Sequence, residues 1–103
     1  MAIRVDCPHS EWDGVYLEFK ETGWTFGARR KITEATSDVV VLKEILKFVT
    51  GWHMLDVNKK EVKFEPDKDI ELLDELDDRM IIPWIISAWF EARSQRTELP
   101  KNS

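Results

Sequence analysis

Asp6, Cys7 and His9 place a carboxylate, a thiol and an imidazole within four positions of one another. These are the donor types of a transition-metal centre, or of a thiol nucleophile beside its base. A tetrahedral metal centre needs about four ligands, and beyond these three the chain offers one more histidine, His53, and no second cysteine. A metal centre is therefore not expected. Cys7 precedes Pro8 in a segment of little periodicity, whereas a nucleophile and its base must be held within hydrogen-bond reach. Gly23, Gly27 and Gly51 lack the spacing of a phosphate-cradling loop. The carboxylates between Glu61 and Asp78 recur on the polar side of a helical pattern, which reads as a solvated face rather than as a general acid and base. The chain reads as a non-enzyme with no cofactor.

The tryptophans carry more. There are five, and each can bury roughly 150–250 Å² in a core or an interface. Trp24 and Trp52 border turns and read as core. Trp84 and Trp89 stand five positions apart, about 140° around a helix, so one can face the core and the other a partner. Contiguous exposed apolar surface marks binding sites. Trp84, Ile85, Trp89 and Phe90 are accordingly the candidate partner contacts, with residues 42–49 as core.

The elements that would position them follow from periodicity. At 103 residues the chain is expected to be one domain that buries roughly 65% of its unfolded surface. Residues 1–14 hold Pro8, Ser10, Asp13 and Gly14 and read as a loose arm. Val15, Leu17 and Phe19 alternate with Tyr16, Glu18 and Lys20, the period of a half-buried strand. Thr25 can cap a short helix over 26–35, with Phe26, Arg30 and Thr33 on related turns. Ser37 and Asp38 start a stronger helix, in which Leu42, Ile45, Leu46 and Val49 form one stripe and Gly51 supplies the left-handed closing residue. Residues 52–57 and 61–64 then form a hairpin around Asn58-Lys59-Lys60. Ile70, Leu73, Leu76 or Asp77, and Met80 approximate a further helical stripe. Pro83 can either open a new helix or kink one already running; the reading adopted is a helix through Arg93 with a break near Pro83. Residues 94–103 read as a frayed tail. The expected fold class is α+β and predominantly helical, with a short N-terminal strand and a small β-hairpin packed with three to four helices.

Composition narrows the function classes. Twenty acids oppose fifteen bases, for a net charge of −5, which argues against phosphate-driven nucleic-acid binding. The one tight basic cluster, Arg29-Arg30-Lys31, lacks aromatic interleaving. Nine acids against three bases fall within residues 61–79, a bias that suits solubility or a basic partner. The longest uncharged run, residues 80–90, is eleven long, short of the roughly 20 that a membrane-spanning helix needs. A single cysteine and an N-terminus without an apolar leader favour the cytoplasm.

The order of these elements resembles that of the small tail assembly chaperones of long-tailed, siphophage-like bacteriophages. The resemblance spans roughly residues 11–92. It is carried by Glu11-Trp12 before the strand, Gly27-Ala28-Arg29-Arg30 in the short helix, Val49-Thr50-Gly51-Trp52 at the helix end and Leu55-Asp56-Val57-Asn58 in the hairpin. The chain departs from the family pattern at Asn58-Lys59-Lys60 and at Leu76-Asp77. The resemblance implies a chaperone that binds the long, apolar, helical tape-measure protein and delivers it for assembly of tail-tube subunits in the bacterial host cytoplasm. It also allows a homo-oligomer. Two other readings fit the sequence. One is a structural tail or adaptor subunit that stays in the virion and uses the same aromatic helix. The other is an acidic inhibitor or nucleic-acid mimic whose residues 61–78 occupy a basic groove.

Overall fold

The computed structural model describes residues 2–97. An antiparallel sheet of order β1-β2-β3-β4 carries three α-helices and two 3₁₀ turns. The coarse expectation of an α+β fold holds.

The loose N-terminal arm is corrected. Ile3-Arg4-Val5-Asp6 alternates apolar with charged residues and forms β1 (Ile3–Asp6), which pairs with β2 (Tyr16–Phe19) through Ile3 opposite Phe19 and Val5 opposite Leu17. The Cys7 amide extends this pairing by donating to the Val15 carbonyl at 2.8 Å. A 3₁₀ turn at Ser10–Trp12 then drops Trp12 into the core, and Gly14, with φ of 89°, turns the chain into β2. Burial of Ile3, Val5 and Trp12 is what holds this segment in place.

Thr25 caps α1 (Phe26–Glu34), its hydroxyl accepting from the Ala28 amide at 3.1 Å. Ile32 is the buried residue of α1, while Phe26 is exposed. Ser37 caps α2 (Asp38–Leu46), which buries Val41, Leu42 and Ile45. α2 stops short of the expected glycine. The Lys47 and Phe48 amides bond back to Glu44 and Ile45 carbonyls, and the chain passes directly into β3 (Val49–Leu55). The β-branched pair Val49-Thr50 suits a strand better than a last helical turn. Gly51 is thus a mid-strand residue rather than a helix cap, and lies opposite Glu18 beside a register shift. A Cβ there would come within 3.0 Å of the Glu18 Oε1.

The hairpin is present. β3 pairs with β4 (Glu61–Val62) through Met54 opposite Val62 and Leu55 opposite Glu61. The Asp56 carboxylate ties the turn by accepting from the Asn58 and Lys60 amides at 2.8 and 3.0 Å, and Lys59 takes the left-handed conformation with φ of 65°.

The stripe expected over residues 70–80 is a 3₁₀ turn, Ile70–Leu73, followed by further turns that still bury Leu72, Leu73 and Leu76. The chain then enters α3 (Ile81–Thr97), where the Asp77 carboxylate accepts from the Met80 amide at 2.7 Å. Pro83 sits in the first turn of α3, where a missing N–H breaks no helical bond, so there is no kink at that point. Ser94 lies within α3 rather than in a tail; residues 98–103 lie outside the described residues.

Register puts Ile3, Val5, Leu17, Phe19, Val49 and Met54 on one face of the sheet. α3 packs there against β1 and β2, α2 packs against α3 and the second 3₁₀ turn, and α1 packs against α2. The opposite face carries Arg4, Tyr16 and His53: the guanidinium lies 3.8 Å from the centre of the Tyr16 ring, which stacks on His53 at 6.1 Å.

Candidate partner-binding surface

The aromatic helix does not present the expected surface. Trp84 is 5% exposed, and Ile85 and Trp89 are 1% exposed. Trp89 stands at the centre of an aromatic cluster, with ring centroids 5.2 Å from Trp24, 5.6 Å from Phe48 and 5.0 Å from Phe90. Phe90 alone of the four reaches solvent. A helix that is apolar around most of its circumference is covered on most sides, and α3 has the sheet on one side and α2 on another. Trp84, Ile85 and Trp89 are therefore core residues.

Trp24 and Trp52 fulfil the core reading in part. Both are half-buried, and their indole N–H groups donate to the Lys20 and Val62 carbonyls, each at 2.8 Å. The indole nitrogens of Trp12 and Trp89 are buried without an acceptor. Lys59, at the hairpin tip, covers Trp12 at 3.4 Å from a ring centroid and donates to the Glu11 carbonyl at 2.7 Å.

The N-terminal donor trio does not converge. Asp6 is held by the Arg4 Nε at 2.8 Å. Burial pushes the Cys7 thiol pKa up, against a lesser opposing hydrogen bond from the His9 backbone, and a raised pKa depletes the reactive thiolate. His53 sits across the sheet, 3.7 Å from the Glu61 carboxylate. Among the described residues no group of three or more His, Cys, Asp or Glu could hold a metal ion. The acidic run is spread over β4, a loop and a 3₁₀ turn, so its carboxylates do not share one helix face.

An open, partly apolar cleft lies elsewhere. A cleft of about 580 Å³ opens between α2 and the segment after β4, with Leu46, Val49, Phe64 and Leu72 among the apolar residues that line it. Val40 and Pro66 extend this apolar lining. Val39 and Val40 are about half exposed on α2, beside the buried Val41 and Leu42. Charged residues flank the lining. Lys43 and Glu44 come from α2, Lys47 from its C-terminal cap, and Asp67, Lys68 and Asp69 from the opposite segment. Lys47 pairs with Glu44 and Lys68 with Glu65, each at 3.0 Å. The neighbouring Glu65 carboxylate raises the Lys68 pKa. Lys43, Asp67 and Asp69 make no ion pair among the described residues.

Sequence reasoning did not find this cleft, whose walls are some twenty-five positions apart in the chain. The one available signal was the valine run at 39–41, wider than the stripe that α2 buries.

Comparison with protein-family models, curated proteins and solved structures gives no match.

Proposed function

We propose that this protein is a non-enzymatic tail assembly chaperone that holds an apolar segment of a tape-measure protein in the α2 cleft until tail-tube subunits polymerise around it. The observation that carries the reading is the cleft itself: an open apolar lining between charged lips, on a chain of net charge −5. Apolar area grips a sticky client, and net charge keeps the loaded complex in solution. The order strand, short basic helix, apolar helix, hairpin and closing helix supports the resemblance. Its Val49–Trp52 motif lies in β3 rather than at a helix end. No helix among the described residues is long and apolar enough to cross a membrane, and the proposed place of action is the host cytoplasm.

Co-expression with a tape-measure chain tests the reading. The wild-type protein keeps that chain soluble and co-purifies with it. Val40→Glu changes an exposed position and should leave the fold intact. Val40 is about half exposed, so a bound segment would bury the exposed half of its side chain, worth about 1 kcal/mol, and losing that contact weakens capture roughly fivefold. Tape-measure chain that stays insoluble beside folded wild-type protein would remove the claim. Recovery of the protein from purified virions would favour a permanent tail subunit instead. Loss of binding on charge reversal at Asp74, Glu75 and Asp78, with Val40→Glu silent, would favour the acidic mimic.

A further inference from the structure

We infer that the α2 cleft takes a single amphipathic α-helix, oriented by opposite charge on its two lips; this rests on reading the cleft as a holding surface. The lining is apolar, so a partner backbone laid across it loses water. An extended segment would need a ladder partner for its N–H and C=O groups. β3 reaches the cleft through Val49 alone, which is already paired with Phe19 of β2, and the other walls are α2 and the segment leading from Phe64 to the second 3₁₀ turn. A helix satisfies its own backbone and lays one stripe of side chains on the lining, with anchors at i, i+3, i+4 and i+7.

The lips fix which way round that helix lies. On the α2 side Lys47 is neutralised by Glu44, leaving Lys43 as the unpaired charge. On the opposite side Lys68 is neutralised by Glu65, leaving Asp67 and Asp69. One lip is net basic and the other net acidic. The complementary helix carries acids along the flank of its apolar stripe that meets Lys43, and bases along the flank that meets Asp67 and Asp69. A helix with its flanks exchanged meets the lips correctly only when it runs the opposite way, whereas one with acids and bases mixed on both flanks meets like charge in either direction.

The test uses the full chain and two fluorescently labelled designed peptides of identical composition. Both have leucines at i, i+3, i+4 and i+7; one has glutamates on one flank and lysines on the other, and the second has the same glutamates and lysines mixed on both flanks. By fluorescence anisotropy in low salt, the peptide with segregated flanks is expected to bind at least tenfold tighter than the mixed one. Lys43→Glu, at an exposed position, makes both lips acidic and is expected to abolish that preference. A third peptide with a central proline is expected to lose binding. Equal affinity for the first two peptides, no binding by either, an undiminished preference in a Lys43→Glu variant that retains its circular dichroism, or full binding of the proline peptide would each overturn the inference. If flank preference fails while Val40→Glu still releases a tape-measure chain, the helix inference falls and the holding function stands. If the preference appears but no tape-measure chain is captured, the function falls and the inference stands.

Discussion

Trp89 separates a core helix from a binding helix by measurement. Trp89→Ala removes an indole that is 1% exposed and touches Trp24, Phe48 and Phe90. Truncating a buried tryptophan costs about 3–5 kcal/mol, from lost transfer energy and the cavity left behind. Against a total stability of about 5–15 kcal/mol, this is a large part of the whole. At about 4–8 °C per kcal/mol for a domain of this size, the midpoint falls by roughly 12–40 °C. Trp89→Phe behaves differently. It gives up about 1–2 kcal/mol of apolar burial, but it also removes the indole N–H that is buried without an acceptor, a group that costs about 1–3 kcal/mol to leave unpaired. The two offset, and the phenylalanine variant stays within about 1 kcal/mol of wild type. Urea unfolding followed by tryptophan fluorescence and circular dichroism gives both values, with the slope checked for constancy. An alanine variant within about 0.5 kcal/mol of wild type, the range of ordinary surface changes, would refute the core assignment. A phenylalanine variant as damaged as the alanine one would refute the argument about the indole nitrogen.

Gly51→Ala tests the strand assignment. A Cβ meets only the mobile end of Glu18 at 3.0 Å, and alanine is better than glycine in a strand by roughly 0.5–1 kcal/mol, so unfolding should show unchanged or slightly raised stability; a left-handed helix cap would instead lose about 1 kcal/mol. For Cys7, burial raises the thiol pKa in the folded chain, so the native state holds that proton more tightly than the unfolded state. Its contribution to stability is complete below the ordinary thiol pKa and is lost as pH rises from that value toward the raised one. Disulfide-exchange labelling should run slower on the folded chain than in urea at mildly alkaline pH, and equal rates would contradict the assignment.

Local signals that act within one turn were legible. Val15, Leu17 and Phe19 alternate, and Thr25 and Ser37 cap helices, because hydroxyls and period-two burial work over a few residues. β1 was missed because its alternation lasts only four residues and is followed at once by Pro8. The end of α2 was missed because Leu46 and Val49 fit both a helical stripe and a strand entry. Phe48 and Val49 are drawn into the sheet by bonds from β2 and the residue after it that no local window contains, such as the Lys20 amide to the Phe48 carbonyl at 2.8 Å. The break at Pro83 depended on where α3 begins, and Asp77 sets that start by taking the Met80 amide.

The displacement of the candidate site from α3 to α2 follows from how much surface each element must cover. The inner sheet face is continuous across β1, β2 and β3, and α3, the longest helix at 17 residues, is the element that packs on β1 and β2. Its aromatic residues are consumed in that contact, which is why so wide an apolar circumference exposes little beyond Phe90. α2 is nine residues long and must face α1, α3 and the second 3₁₀ turn together. The second 3₁₀ turn is four residues long. The spacing of Ile70, Leu73 and Leu76 suggested a full helix there, and the structure has only this turn and the turns after it. The shorter turn covers Leu72 and Leu73 but leaves Val40 and the adjoining lining open. The cleft is thus the place where one layer of helix is missing, and the proposed partner helix supplies that layer.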